Sequence, residues 1–210
     1  ETLRKSDKLF LHISTDEVYG DAEDQKSFNE HDKINPGNPY SASKASAEIL
    51  INSYVKTYGI KSIISRCSNN FGPFQFPEKL IPKTIIRALK NLSIPLYGSG
   101  NQIRSWIYVL DHVTALESLI SQGKFGETYN ITAWNEITNK ELVEQILLIM
   151  EKPKDLIQIV DDRPGHDNRY SVDSKKIHSI TGWKPTYDFK NALKETITWY
   201  IQNTSWWEPL

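Results

Sequence analysis

Leu9-Phe-Leu-His-Ile-Ser-Thr-Asp-Glu-Val-Tyr-Gly20 is the stretch that decides how this chain folds. It opens as a short apolar run and ends in polar residues. A strand buried on both faces reads this way, which favours a parallel sheet over a half-exposed antiparallel one. A loop rich in Asp, Asn and Pro follows over about residues 20–39. From Tyr40 to Tyr58 the pattern becomes helical, with Ala45, Ile49, Leu50 and Tyr54 recurring on one side, and Gly59 supplies a C-cap. Lys61–Arg66 reads as the next strand. Strand, crossover helix and strand in this order predict an α/β fold.

Beyond Gly72-Pro73 the character changes. Helices are expected at about Pro82–Asn91 and Asp111–Ser121, bracketing a strand at about Ile103–Val109. Thr138-Asn-Lys-Glu141 is a capping box that opens a helix running to Met150. A strand at Ile157–Val160 leads into a polar loop. A last amphipathic helix, about Asp188–Asn203, carries Ala192, Leu193, Ile197 and Tyr200. Residues 1–72 read as the carboxyl-terminal part of a doubly wound parallel sheet. Residues 73–210 read mainly as a smaller α+β lobe, with some segments returning to the sheet. Glu1-Thr-Leu-Arg-Lys5 reads like the end of a helix running into a strand, so the expectation is a chain that begins mid-domain.

The 210 residues carry 25 Lys+Arg against 26 Asp+Glu, a net charge of −1. That balance gives no electrostatic case for nucleic acid or for an anionic membrane surface. No apolar run approaches the ~18–20 residues that cross a bilayer. The single cysteine, Cys67, excludes a disulfide framework and fits a cytoplasmic setting. His12, His31, His112 and His178 show no metal-ligand spacing, so no metal is expected.

Four constellations could carry chemistry. Thr15-Asp-Glu17 sits at the carboxyl end of the first strand, where ligands bind in open α/β sheets. Two adjacent carboxyls serve as acid and base if their environments separate their pKa values; a polar loop with capping carboxylates is the other reading. Tyr40-Ser-Ala-Ser-Lys44 places a phenol and an ammonium on one helix face, where the ammonium is expected to lower the phenol pKa. The spacing is cheap, and a surface pair is the alternative. Cys67-Ser-Asn-Asn-Phe-Gly-Pro73 offers two amides just past a strand, or simply a turn. Arg163-Pro-Gly-His166 offers a guanidinium fork for phosphate, or a solvated turn. Arg104 and Lys79, taken alone, read as isolated surface cations.

Together these stretches resemble the extended short-chain dehydrogenase/reductases, and among them the members that dehydrate a nucleotide-linked hexose. The resemblance rests on His12–Asp21, Pro39–Ala45, Cys67–Pro73, Phe76–Pro82, Tyr97–Arg104, Gly126–Asn130 and Asp162–Asp167, in the family's order and spacing across nearly the whole chain. It implies a Rossmann-type sheet, a homodimer through helices like Tyr40–Tyr58, NAD as cofactor and dTDP-glucose as substrate. UDP-sugar dehydratases or epimerases of the same family, or a non-catalytic sugar-nucleotide-binding module, are the alternatives.

Carried over by residue, the resemblance implies that Tyr40 takes the proton of the sugar 4-hydroxyl, helped by Lys44 and Thr15, while hydride leaves C4 for NAD⁺. Glu17 then removes the C5 proton, Asp16 protonates the departing 6-hydroxyl, and hydride returns to C6. Tyr40, Lys44 and Asn70 would touch the cofactor. Asn69, Lys79, Leu80, Pro95, Tyr97, Arg104, Asn139, Arg163 and His166 would hold the nucleotide sugar. Ser105 and Leu110 depart from the acidic residues expected there. The family's glycine-rich Gly-x-x-Gly-x-x-Gly is absent from these 210 residues. About 110–130 preceding residues would normally hold it. The expectation is that this stretch alone binds NAD⁺ poorly, folds poorly and is inactive.

Overall fold

The structure is a computed structural model that describes residues 2–133 and 135–210. The opening residue, Glu1, lies outside the described residues; Thr2–Lys5 form a 3₁₀ turn ahead of the first strand. Strand β1 (Phe10–Thr15) runs parallel to β2 (Ser62–Cys67), in a register that pairs Phe10 with Ser62 and Thr15 with Cys67. Helix α1 (Pro39–Tyr58) makes the crossover between them. The chain is thus an α/β protein built on parallel strand pairs.

The ends of α1 follow from its sequence. Asn38 Oδ1 accepts from the Ser41 N–H at 3.0 Å, and Ser41 Oγ accepts from the Asn38 N–H at 3.2 Å. Pro39 occupies the first turn, where its missing donor costs nothing. Gly59 closes the helix in the left-handed conformation, at φ 65°.

Four short strands carry no strand signal in the sequence pattern: 69–71, 94–97, 128–131 and 136–138. In chain order the remaining strands are β3 (Asn69–Phe71), β4 (Ile94–Tyr97), β5 (Ile103–Tyr108), β6 (Thr128–Ile131), β7 (Glu136–Thr138) and β8 (Ile157–Val160). Strand β6 joins the first sheet beside β2; β5 lies between β3 and β7; β4 pairs with β8. Asn69-Asn70 therefore belong to a strand rather than a turn, held by parallel pairing to Trp106 and Ile107.

The helices are α2 (Leu80–Leu89), α3 (Val109–Gln122), α4 (Asn139–Ile149), α5 (Lys175–Thr181), α6 (Phe189–Gln202) and the short α7 (Thr204–Trp207). Helices α1, α2 and α3 begin one or two residues earlier than the sequence pattern suggests, α6 begins one later, and α5 and α7 carry no sequence signal. One core gathers Phe71, Ile81, Ile85, Trp106, Leu142, Ile146, Leu193, Ile197 and Tyr200. A second gathers Ile63, Ile107, Leu119, Tyr129, Ile131 and Trp183 around the β2–β6 face.

The sequence carries two expectations for β1, burial on both faces within a full doubly wound sheet and an exposed edge where its sheet neighbours are lacking, and among the described residues the second holds. β1 is not buried on both faces: only Ser14 and Thr15 are buried, and Ile13 is 44% exposed. The reason is position, since β1 is an edge strand of its sheet among the described residues. The doubly buried strand is β2, whose Ser62–Arg66 are all buried.

The long loop after Gly20 is not free. Ala22 N–H donates to Arg169 O and Phe28 N–H to Ser171 O, at 2.9 and 3.0 Å. Asp21 accepts from the Arg169 N–H and from Asn168 Nδ2. The Arg169 guanidinium bonds the carbonyls of Glu23 and Lys26 and forks onto Glu136. The loop is so clipped to the 162–174 segment, which carries Arg163 and His166.

Candidate active site

The carboxyl ends of β1 and β2 open into a cavity of about 620 Å³. Thr15, Asp16 and Glu17 enter it from β1 and the 3₁₀ turn that follows. Tyr40 enters from the first turn of α1. Asn69 and Asn70 enter from β3, Lys79 from the start of α2, and Arg163 from the loop after β8. Residues far apart in sequence converge here because parallel strands all end on one edge.

Gly20 sets the sharp exit from the carboxyl pair. It holds φ 80°, and a β-carbon there would collide with the backbone carbonyl of Asn35. No other residue type suits both conditions.

Asp16 is 3% exposed, and one of its oxygens has no partner among the described residues. Burial, then the neighbouring Glu17 charge, push its carboxyl up to about 7, against the pull of Arg104 and of the Thr15 hydroxyl. An acid that still holds its proton near neutrality therefore sits beside a second carboxyl. Thr15 Oγ1 approaches Asp16 Oδ1 at 3.3 Å and also hydrogen-bonds Tyr40.

The expected lowering of the Tyr40 phenol does not hold in this site. Burial and the charges of Glu17 and Asp16 raise it above its ordinary value, and only the Thr15 hydrogen bond opposes them. Lys44 spends its ammonium on the carbonyl of Ile13 at 2.6 Å, which ties α1 to β1.

Arg104 is also not a surface cation. It is 5% exposed, and its guanidinium donates to the carbonyls of Ile103, Asp167 and Asn168 while lying 4.2 Å over the Tyr170 ring. The remaining expected residues lie off the main cavity. Leu80 starts α2 beside Lys79. Pro95 and Tyr97 lie on β4, and Asn139 opens α4. His166 Nδ1 meets Asp162 Oδ1 at 2.7 Å, and Gln102 Nε2 donates to the other Asp162 oxygen. Asn139 N–H bonds Gln102 O, and Gly98 N–H bonds Val160 O, so these residues form an adjoining cluster around Asp162. The Arg163–Gly165 turn links it to the cavity.

Several residues of the site have no sequence signal. Tyr170 directs its hydroxyl to Asp167 in a short hydrogen bond and lies 3.3 Å from Glu17 Oε2. One phenolic proton cannot serve both carboxyls fully, so Asp167 takes it; burial and the Glu17 charge raise the Tyr170 phenol strongly. Ser14, Ser68, Cys67 and Gln75 also line the cavity. Burial pushes the Cys67 thiol up to about 12, which leaves it inert as a nucleophile.

The class of protein is now defined from outside as well. The family model described as GDP-mannose 4,6 dehydratase matches residues 1–196, and the chain belongs to that family. Within it, the similar curated proteins are dTDP-glucose 4,6-dehydratases. The Neisseria meningitidis serogroup B protein of that name is 47% identical over 211 residues, covering 95% of this chain and 59% of the relative. The first dTDP-glucose 4,6-dehydratase of Escherichia coli K12 is 45% identical over 97% of this chain and 61% of its own length. The chain thus spans about three fifths of the length of the curated relatives it matches.

Solved structures agree. The Bacillus anthracis dTDP-glucose 4,6-dehydratase in complex with NAD superposes with a TM-score of 0.92 at 45% identity, covering 95% of this chain and 63% of that one. DesIV of Streptomyces venezuelae, with NAD and TYD bound, gives 0.94 at 40% identity over 96% and 62%. The fold is accordingly the Rossmann-type α/β fold of these enzymes.

Proposed function

We propose that the protein containing this chain dehydrates dTDP-glucose to dTDP-4-keto-6-deoxyglucose with NAD as its cofactor. The observation that carries this reading is the convergence of Tyr40, Thr15 and two unlike carboxyls, Asp16 and Glu17, on one cavity. Oxidation, elimination and reduction of one hexose need a hydroxyl base, a carbon base and a separate acid, and this set supplies them.

The cavity fits the reacting end of the cofactor. The side-chain oxygens of Asn69 and Asn70 are buried without partners, beside Tyr40. Asn70, Tyr40 and Lys44 would hold that end. No glycine-rich turn among the chain's 10 glycines fits the cofactor's phosphates. When bound, NAD supplies a two-electron acceptor and donor for the sugar, and a positive charge that counters the carboxylates around Tyr40. Tyr40 then accepts the 4-hydroxyl proton, with Thr15 bridging it to the sugar. Glu17 takes the C5 proton once C4 is a ketone. Asp16, protonated up to about pH 7, gives its proton to the departing 6-hydroxyl. Lys79 and Arg163 place positive charge along one side of the cavity for the diphosphate, with Asn69 on the same lining. Arg104, His166, Leu80, Pro95, Tyr97 and Asn139 lie outside that lining and would hold the rest of the nucleotide sugar.

The division at about residue 72 assigns the cofactor half to residues 1–72 and most of the nucleotide-sugar lobe to 73–210. The α1 surface, where Ile49 and Leu50 are 61% and 60% exposed, supports a homodimer. A cytoplasmic setting fits the single free cysteine, Cys67. No helix among the described residues is long and apolar enough to cross a membrane.

The test is product analysis by mass spectrometry, with the intact protein, NAD⁺, and either dTDP-glucose or UDP-glucose. Loss of one water from dTDP-glucose is expected. Loss from UDP-glucose alone would replace the nucleotide, and loss from neither would sink the reaction. Asp16→Asn and Glu17→Gln should each keep oxidation at C4, seen as cofactor reduction in a single turnover. Each should slow water loss by roughly 10²–10⁴-fold.

A further inference from the structure

Gln75 is held from three directions yet leaves one atom unused. Its N–H donates to Gly72 O at 3.4 Å, and its carbonyl accepts a short hydrogen bond from the Tyr200 hydroxyl of α6. Its Nε2 donates to Asn70 O at 2.8 Å. That last bond fixes the amide orientation, so Oε1 is the free atom of a side chain that lines the cavity, and Oε1 can only accept. It is buried and has no partner among the described residues. Ser68, 2% exposed, lines the same cavity with its hydroxyl equally unpartnered. A buried acceptor left unpaired is costly, and a rigid one costs little further ordering when a donor arrives.

We propose that Gln75 is a specificity-determining residue of this site, whose amide oxygen accepts a hydrogen bond from the 2- or 3-hydroxyl of the bound hexose. The proposal rests on the dTDP-glucose reading above. The 4- and 6-positions are engaged there by Tyr40 and Asp16, which leaves these two hydroxyls to be read. A hydroxyl donates where an acceptor waits, and a site built around such a bond rejects the analogue that lacks it. Ser68, beside it, can complete the same hydroxyl as donor or acceptor.

The experiment is a double cycle read by equilibrium binding. The dissociation constants of dTDP-glucose and of its 2-deoxy and 3-deoxy analogues are measured on the intact protein with NAD⁺ present, for wild type and for Gln75→Met. Met keeps the length and the backbone carbonyl that Tyr200 bonds; Gln75→Leu is the second variant should Met disturb folding. Wild type should bind one deoxy analogue about tenfold more weakly than dTDP-glucose, and the variant should not distinguish those two. Losses that simply multiply for both analogues would overturn the proposal, because Gln75 would then be structural. A variant that weakens NAD⁺ binding while keeping full discrimination would overturn it in favour of the cofactor amide. Failure of wild type to bind dTDP-glucose would instead reject the reading of the reaction.

Discussion

Asp16 shows what one buried carboxyl does to both chemistry and stability. In the unfolded chain it titrates near 3.8, and in the fold near 7. Below the lower value both states hold the proton and nothing is lost. As pH rises through the window, the unfolded state releases its proton first, so stability falls until about pH 7 and is flat above it. A gap of about three pKa units at about 1.4 kcal/mol each makes the full penalty roughly 4 kcal/mol. Asp16→Asn should therefore stabilise the protein by a few kcal/mol at pH 8 and change little at pH 4. Urea unfolding at the two pH values checks this, and an equal effect at both would contradict it. The same substitution removes the proposed acid, so stability and turnover should move in opposite directions. Thr15, Asp16, Glu17 and Tyr40 were legible as neighbours of one cavity because Thr15–Glu17 are adjacent in sequence and Tyr40 opens the helix that follows. Tyr170 was not, because it meets Glu17 across 153 residues. Nor was the burial of Arg104, whose carbonyl partners come from the Asp167–Asn168 segment.

At the scale of elements, the first turn of α1 ties helix formation to the position of Tyr40. Asn38 caps the helix two residues before the phenol. Asn38→Ala should cost about 1 kcal/mol of stability, and Asn38→Ser should restore most of it. Denaturant midpoints give the comparison; no loss in the alanine variant would mean the loop alone fixes the turn. This helix was readable because its caps and periodicity span many residues, and the capping box at Thr138–Glu141 was readable for the same reason. β3 and β7 were not, since three residues carry no period. In β3 the local chemistry pointed the other way, because Asn favours turns until a neighbouring strand offers ladder bonds. β1 read as covered on both faces because apolar content reports a tendency to be covered, whereas among the described residues it lies at a sheet edge.

At the scale of the molecule, the parallel strand ends and the clipped loop jointly form the cavity, and no single segment encloses it. The α/β class followed from the β1–α1–β2 order alone. The loop over residues 20–39 looked merely polar, because partners such as those of Asp21 lie 147 and 148 residues away.

That clip has a consequence for how the molecule opens. Ala22, Phe28 and Asp173 each donate their amide across the two clipped segments, and Arg169 bridges to Glu23, Lys26 and Glu136. The zipper is backed only by the small cluster of Val18, Tyr19, Ala22, Phe28, Ala45 and Val172, and it should release as one unit below the free energy of global unfolding. In hydrogen–deuterium exchange the amides of Ala22, Phe28, Arg169 and Asp173 should share one rate, faster than those of β2. Saturating nucleotide sugar should slow all four together, even though none of them lines the cavity.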